Sequence, residues 1–313
     1  MGWVMGVDLG GTNLRAAQVH PTGDIGITLQ VAVDHSDHHD GRVPFQQLTD
    51  LLGDIVRAAQ GQPDSGTLEA IGVSVTGPID PVTGWVDNPH TLPAAMQGDL
   101  IGAVRTRFDL PIVVENDANA AAVGEARFGA GRNSEVVLCI TIGTGIGVGV
   151  VAHGRLYEGA QRTHPEPGHL VVDPTGPACY CGASGCIESL ASATAVIDAA
   201  LHAGIISTGA SARDVHRLAD TGNAVARQVV DRAAAALAAG IRTLVAVYAP
   251  DIVVLAGNAQ GDQERLIRLV QDSVDGFPFG AGTVGVRTAE LGNWAGCVGV
   301  ASLAADEMIT RWR

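Results

Sequence analysis

The residues Glu135-Val-Val-Leu-Cys-Ile-Thr141 form a run of apolar and β-branched side chains that predicts a buried strand. Two shorter runs follow it, Gly147-Val-Gly-Val-Val-Ala152 and Gly154-Arg-Leu-Tyr157, so three strands are predicted in succession. Residues 3–33 show the same arrangement, with three predicted strands separated by turn residues. Helical and strand patterns alternate after both clusters. The sequence therefore predicts a duplicated α/β architecture, although the two halves share no visible repeat.

The remaining elements are predicted from hydrophobic periodicity and from helix and turn signals. After the first cluster we expect helices at 44–60, about 98–108 and 116–128, and strands at 70–75 and 111–114. After the second we expect helices at 189–203, 211–219, 223–247, 262–273 and 295–310, and strands at 251–255 and 283–289. The histidine- and aspartate-rich run at 35–40 is interpreted as a surface loop.

The composition excludes several classes of function. The 313 residues carry a formal net charge of −14, which argues against binding to nucleic acid or to an anionic membrane. All 19 basic residues are Arg, so lysine-dependent sites such as the P-loop, the protein-kinase ion pair and Schiff-base chemistry are excluded. Residues 1–7 lack the basic flank of a targeting segment, and the apolar stretch 233–249 is interrupted by Arg242. We expect a cytoplasmic protein without a membrane span.

A His/Cys cluster late in the chain predicts a metal site. His169, Cys179, Cys181 and Cys186 offer one imidazole and three thiolates, which is a complete tetrahedral set for zinc with no open position. Small residues between the cysteines let the backbone bend until the sulfurs face one ion. We therefore expect a structural Zn²⁺ and place the chemistry elsewhere. The two other cysteines sit among apolar residues and are expected to be inert core thiols.

Four motifs resemble those of the ROK family of sugar kinases and sugar-binding repressors. One is Gly168-His169 followed by Cys179-x-Cys181-Gly-x-x-Gly-Cys186-x-Glu188. The others are Asp8-Leu-Gly-Gly-Thr-Asn13, Glu115-Asn116-Asp117-Ala-Asn-Ala-Ala-Ala and Gly143-Thr-Gly-Ile-Gly147. They occur in the family's order and span nearly the whole chain.

The resemblance implies two lobes of the actin and hexokinase type, a ribonuclease H-like duplicated α/β fold with an interlobe cleft. We expect a small N-terminal lobe at 1–116, with the final helix at 295–313 packing back on it. A large C-terminal lobe at 117–294 would carry the zinc loop. The family also implies a homodimer or a homotetramer.

The turn after Asp8 is predicted to hold nucleotide phosphates. Asp8 ends a strand, and paired glycines allow positive φ and close backbone approach, so that N–H groups can face phosphate oxygens in place of the absent lysine. Asp8 would hold the catalytic Mg²⁺ beside the phosphates. The predicted ATP-binding residues of this turn are Asp8, Gly10, Gly11, Thr12 and Asn13.

Three more predicted ATP-binding residues are Gly143, Thr144 and Gly145. This run fails as a dinucleotide fingerprint, because the third glycine of that pattern would fall at Val148. It matches the second phosphate motif of the family instead. Near the adenine the family usually has consecutive glycines, and this chain retains only Gly257.

Asp117 is the predicted catalytic base. It lies where a strand ends and a helix begins, and the helix dipole favours its anionic form. A sugar hydroxyl that attacks the γ-phosphorus must lose its proton, which a positioned carboxylate can accept. The alternative interpretation is that Asp117 only caps the helix.

The sugar-binding residues are implied by the resemblance. Carboxylates can accept from adjacent sugar hydroxyls, and a His169 ring that ligates zinc through one nitrogen would keep the other as an N–H donor. Gly77 is expected to line the site through its backbone. The predicted set is Gly77, Asn116, Asp117, Glu166, His169 and Glu188.

We therefore predict an ATP-dependent hexose kinase that phosphorylates the 6-hydroxyl of glucose. The first alternative substrate is N-acetylmannosamine, because the Val-Thr-Gly loop at 75–77 is unlike that of glucokinases; N-acetylglucosamine and fructose are further alternatives. Polyphosphate is disfavoured as donor. The rival function is a sugar-responsive repressor, which would need a DNA-binding domain ahead of Asp8, where the sequence has only seven residues.

Overall fold

The computed structural model describes residues 2–35, 45–61, 66–257, 263–275 and 283–311. Residues 36–40 of the predicted histidine-rich loop lie outside this set. The chain divides into two compact units. Unit 1 comprises Met1–Arg132, Arg155–His164 and Asn293–Arg313, and unit 2 comprises Asn133–Gly154 and Pro165–Gly292. No helix within the described ranges has the length and apolar character needed to cross a bilayer.

Unit 1 contains a five-stranded sheet. Its strands are β1 (Trp3–Leu9), β2 (Asn13–Val19), β3 (Ile25–Ala32), β4 (Leu68–Val75) and β7 (Ile112–Asn116). They lie in the order β3-β2-β1-β4-β7, with the first three antiparallel and β4 and β7 parallel to β1. The central strand β1 is almost entirely buried, whereas the edge strand β3 alternates between half-buried and exposed residues. A separate ribbon is formed by β5 (Trp85–Val86) and β6 (Gly98–Asp99).

The helices of unit 1 are α1 (Gln46–Gln60), α2 (Leu100–Arg105), α3 (Asp117–Phe128) and, last in the chain, α9 (Ala295–Arg311). Helix α9 packs on α3 and on strands β1 and β4. Glycine permits this close packing, because a Cβ on Gly299 would lie 1.7 Å from the carbonyl oxygen of Ala120. Helix α3, which begins with the predicted base, is thus held backbone to backbone by α9.

Unit 2 repeats the strand order of unit 1. The second five-stranded sheet is formed by β8 (Val136–Ile142), β9 (Ile146–Ala152), β10 (Arg155–Leu156), β11 (Ile252–Ala256) and β12 (Gly285–Thr288). They lie in the order β10-β9-β8-β11-β12, with β11 and β12 parallel to β8. The helices are α4 (Ile187–Ala191), α5 (Ala193–His202), α6 (Ala212–Asp220), α7 (Ala224–Tyr248) and α8 (Gln263–Asp275). Each unit has its own apolar core.

The predicted duplicated architecture is confirmed by the two sheets of matching order. One helix differs, since the segment predicted at 189–203 is two helices that meet at Ser192. The backbone of Ser192 is extended, and its hydroxyl accepts from the N–H of Ala195 to cap α5. Unit 1 also extends through Arg132 rather than ending at residue 116, because α3 packs on α9.

Candidate active site

Asp8 lies at the end of β1 with its carboxylate paired on both sides. Arg15 on β2 donates to Oδ2 at 3.1 Å, and the Ser74 hydroxyl on β4 donates to Oδ1 at 3.0 Å. Both partners stand directly opposite Asp8 in the strand registers. Burial raises the pKa of Asp8, while the charge of Arg15 and the hydrogen bonds from Ser74 and Arg15 act in the opposite direction. Arg15 and Ser74 therefore offset part of the cost of burying this carboxylate.

The turn after Asp8 is tight. The N–H of Gly10 donates to the carbonyl of Asn13 at 3.0 Å, and the side chain of Thr12 is exposed. Neither Gly10 nor Gly11 uses the left-handed region that glycine allows. Glycine is required for space instead, because a Cβ on Gly11 would lie 2.6 Å from the Thr91 methyl group.

Asn116 and Asp117 form the junction between β7 and α3. The amide oxygen of Asn116 accepts from the N–H groups of Ala118 and Asn119, at 2.9 and 3.2 Å, and caps the helix. Asp117 is the first helical residue, and its Oδ1 also accepts from Ala118 at 2.8 Å. Because Asn116 supplies the cap, the interpretation of Asp117 as only a helix cap is not required.

Gly77 lies against this junction. Its carbonyl oxygen accepts from the amide nitrogen of Asn116 at 3.3 Å, and its φ is +81°. A Cβ at this position would lie 2.2 Å from the side-chain nitrogen of Asn88. The structure brings Gly77, Asn116 and Asp117 together.

The four predicted metal ligands converge in unit 2. One ligand atom from each of His169, Cys179, Cys181 and Cys186 lies within 4.8 Å of the others. The Cys181 and Cys186 sulfurs are 3.6 Å apart, and His169 Nδ1 lies 3.4 Å from the Cys179 sulfur. Tetrahedral zinc with bonds of about 2.3 Å to sulfur and about 2.0 Å to nitrogen requires edges of about 3.5–3.8 Å. The Cys181–Cys186 and His169–Cys179 separations are close to those edges, and all four ligand atoms lie near enough to share one ion.

The thiols of this cluster differ in acidity. Burial raises the pKa of Cys186 to about 12, whereas a backbone N–H from Ala183 lowers that of Cys181. The loop is shaped by Gly185, whose φ is +70° and where a Cβ would overlap the carbonyl of Asp173. A divalent cation would favour the thiolate form of all three cysteines.

Tyr180 lies beside two of the predicted sugar-binding residues of unit 2, His169 and Glu188. The edge of the Tyr180 ring meets His169, with centroids 4.9 Å apart. Tyr180 is 80% exposed, and its pKa is raised by the desolvation that remains, by the charge and hydrogen bond of Glu188 and by the charge of Glu166. The structure thus brings His169 and Glu188 to the Tyr180 ring, and the charge of Glu166 acts on the same ring. Sequence reasoning missed Tyr180, and an aromatic residue between two metal-ligating cysteines was the available signal.

Glu188 also contacts the second glycine-rich turn. Its Oε2 accepts from the N–H of Ile146 at 2.9 Å, and a Cβ on Gly145 would lie 2.4 Å from the same oxygen. Thr144 accepts from the hydroxyl of Thr194 at 2.8 Å through its carbonyl oxygen. A Cβ on Gly143 would meet nothing within 4 Å, so this turn is open at Gly143.

Gly257 follows β11 with a φ of +99°, and a Cβ there would lie 2.1 Å from the carbonyl of Ile142. A small apolar pocket lies at this edge of the unit 2 sheet. It is lined by Ile142, Leu255, Ala256, Gly257, Leu266, Ile267 and Thr288.

Comparison with known proteins gives consistent matches over almost all of the chain. The model of the ROK family matches residues 4–307. The chain is 30% identical over 321 residues to a glucokinase of Thermotoga maritima, covering 97% of this chain and 98% of that protein. It is 32% identical over 305 residues to an N-acetylmannosamine kinase of Escherichia coli, covering 97% and 99%.

Among solved structures, the chain is similar to a ROK family glucokinase from Streptomyces griseus in complex with glucose and AMPPNP. The TM-score is 0.75 at 31% identity, covering 97% of this chain and 100% of that one. The fold class predicted from the resemblance, that of actin- and hexokinase-like sugar kinases, is confirmed.

Proposed function

The chain belongs to the ROK family and is a sugar kinase of that family, and we propose that it transfers the γ-phosphoryl group of ATP to the 6-hydroxyl of glucose. The observation that carries this proposal is the junction at Asn116 and Asp117, where a carboxylate stands at the first position of a helix that a different residue caps. Glucose is supported by the similarity to the glucokinases of Thermotoga maritima and Streptomyces griseus.

Asp117 acts as the general base in this proposal. Its carboxylate accepts the proton of the 6-hydroxyl while that oxygen forms its bond to the γ-phosphorus and the bond from phosphorus to the ADP oxygen breaks. Asn116 orients the sugar from the neighbouring position, with its amide held by Gly77. Proton acceptance accounts for about 10²–10⁴ in rate, and positioning and charge neutralisation account for most of the rest.

Asp8 is the proposed ligand of Mg²⁺, directly or through water. The site fits a cation, since the carboxylate supplies the oxygen ligands that Mg²⁺ prefers and its side chain, 15% exposed, stands at the start of the phosphate turn. When bound, Mg²⁺ neutralises the charge of the β- and γ-phosphates. The residues from Gly10 to Asn13, the open turn at Gly143 to Gly145, and Gly257 with its apolar pocket are proposed to hold the nucleotide.

Zinc is proposed as a structural ion on His169, Cys179, Cys181 and Cys186. The donor set and the 3.4–3.6 Å separations support it. Nδ1 of His169 faces the sulfurs, which leaves Nε2 as the donor for a sugar hydroxyl. Glu166 and Glu188 accept from further sugar hydroxyls beside it.

N-acetylmannosamine is the second candidate substrate. It is favoured by the similarity to the Escherichia coli N-acetylmannosamine kinase and by the Val-Thr-Gly loop at 75–77. Exchange of glucose for this sugar changes the substituent and configuration at C2 and leaves the 6-hydroxyl chemistry of Asp117 unaltered.

An ADP-release assay tests the proposal, with glucose, mannose, fructose, N-acetylglucosamine and N-acetylmannosamine at equal concentrations. We expect the highest kcat/KM for glucose and product phosphorylated at C6 by NMR. A higher kcat/KM for N-acetylmannosamine would replace glucose by the second candidate. Absence of turnover with every sugar, in protein that is folded and loaded with Mg²⁺ and Zn²⁺, would refute the kinase assignment.

A further inference from the structure

A buried polar network lies directly behind the Asn116–Asp117 junction. Glu115, the residue before Asn116 on β7, is 2% exposed. Its Oε1 accepts from the backbone N–H of Asn116 at 2.8 Å and from the amide nitrogen of Asn119 at 3.1 Å. Nε2 of His164 lies 3.3 Å from the same oxygen, and its side chain is 8% exposed. Three nitrogens therefore converge on one carboxylate oxygen inside unit 1.

The network determines which ring nitrogen of His164 carries the proton. The amide of Asn119 must turn its NH₂ group toward Glu115, because its oxygen in that position would face a carboxylate oxygen. The second hydrogen of the same NH₂ group then points at Nδ1 of His164, 2.8 Å away. Nδ1 is therefore an acceptor, and the ring proton is on Nε2, on the side of Glu115.

The carboxylate of Glu115 depends on these donors. Burial raises its pKa, and His164, Asn119 and the backbone N–H of Asn116 each lower it. Nε2 of His164 is itself buried and makes no hydrogen bond of good geometry in the structure. A buried polar group without a full partner is costly, so Nε2 of His164 depends on the Glu115 carboxylate, 3.3 Å away, for its electrostatic compensation.

The network also couples distant parts of the chain. Asn119 belongs to the first turn of α3 and Glu115 to the end of β7, so one carboxylate holds both sides of the junction. His164 comes from the separate segment Arg155–His164 of unit 1. Pro165 follows it and restricts its backbone, and Glu166 is two residues further along the chain.

We propose that His164 is a positioning residue for the sugar-side chemistry, acting through Glu115 and Asn119 on the backbone of Asn116 and on Asp117. The inference rests on the proposed function, since it assigns His164 to the placement of the base and of a sugar contact. His164 touches neither substrate nor the reacting phosphate. Its loss releases the Glu115 carboxylate from one side, and the first turn of α3 is then no longer held in one orientation.

The test compares His164→Leu, which removes both ring nitrogens at similar volume, with His164→Gln, which returns an N–H donor toward Glu115. We expect His164→Leu to lower kcat/KM for the sugar about 10-fold or more while KM for ATP stays within about twofold, because small misplacement at a reacting centre costs up to about 100-fold. His164→Gln should recover most of this loss. The control is His216→Leu, which removes another buried histidine, on α6 of unit 2, and should leave kcat/KM per folded protein unchanged.

A general loss of folded enzyme would lower the apparent kcat and leave KM for the sugar and KM for ATP unchanged. His164→Gln would then show no sugar-specific recovery. A change confined to the sugar, together with recovery in His164→Gln, therefore separates positioning from stability. If His164→Leu does not fold, ¹⁵N NMR of the imidazole in the wild type decides, with a protonated Nε2 and a bare Nδ1 expected. Wild-type kinetics in folded His164→Leu, or a proton on Nδ1, would overturn the inference alone. A wild type without activity on any sugar would overturn the proposed function and this role with it.

Discussion

Asp117→Asn separates the proposed chemistry from folding, because it replaces one carboxylate oxygen by NH₂ at constant size. Oδ1 of Asp117 accepts from the N–H of Ala118 at 2.8 Å, and an amide oxygen can accept the same bond. Asn116 continues to cap α3 through Ala118 and Asn119. The stability cost is then only the lost attraction between the carboxylate and the helix dipole, about 0.3–1 kcal/mol.

The expected effect on the reaction is larger. Loss of a general base lowers kcat by about 10²–10⁴. This corresponds to about 2.7–5.4 kcal/mol of transition-state stabilisation. The barrier therefore rises by several times the change in stability, and the variant should be folded, able to bind sugar and at least ~100-fold slower.

Three measurements check this prediction: ADP release at saturating ATP, sugar affinity by calorimetry, and thermal unfolding. The matched control is Asp214→Asn, which alters an acidic residue in the first turn of α6, where Asp214 accepts from the backbone and hydroxyl of Ser211. Its stability loss should be similar and its kcat unchanged. Turnover of Asp117→Asn near that of the wild type would remove Asp117 from the mechanism, and a loss of sugar binding would reassign it to substrate recognition.

Three further predictions concern the metal, the sugar contact and the phosphate turn. Elemental analysis of active protein should find one zinc per chain, and Cys181→Ser should lose zinc and activity together. The control Cys139→Ser, at a buried strand position away from the cluster, should keep both. Active protein without zinc would refute the structural metal. Glu188→Gln should raise KM more for the preferred hexose than for its C2 epimer, and an equal rise for both sugars would mean that Glu188 only supports the turn through Ile146. Gly143→Ala should unfold at the same temperature as the wild type, because the added Cβ meets nothing within 4 Å. It should nevertheless raise KM for ATP, because the methyl group crowds the phosphates. An unchanged KM for ATP would exclude Gly143 from the nucleotide site.

The secondary structure and the identity of the motifs were accessible from the sequence, because their signals are local. Apolar runs such as that of β8 and turn residues between them predict strands whatever the neighbours are. At the junction of Asn116 and Asp117, a strand pattern, a capping residue and a 12-residue alanine-rich helix follow one another directly in the sequence. The His/Cys cluster was predictable because four ligands within 18 residues can meet through local bending of a glycine-containing loop.

The partners of the predicted residues depended on tertiary structure. Arg15 and Ser74 stand beside Asp8 only because the registers of β2 and β4 against β1 place them there. Arg15 is separated from Asp8 by 7 positions of sequence and Ser74 by 66 positions. No local pattern specifies the pairing of Asp8 with Ser74. Pairing across a sheet is decided by burial of a whole face, so a side chain's neighbours follow from the register rather than from its own surroundings in the chain.

The same reason explains why His164 and Tyr180 were not predicted. His164 meets Glu115 across 49 positions of sequence, in a contact that exists only once β7 and the segment Arg155–His164 share one unit. Tyr180 meets His169 and Glu188 only because the cysteine loop folds back on itself. The residues that carry the proposed chemistry were recognisable from the sequence by motif, whereas the residues that hold and surround them were determined by packing, since burial and register join segments that the chain keeps far apart.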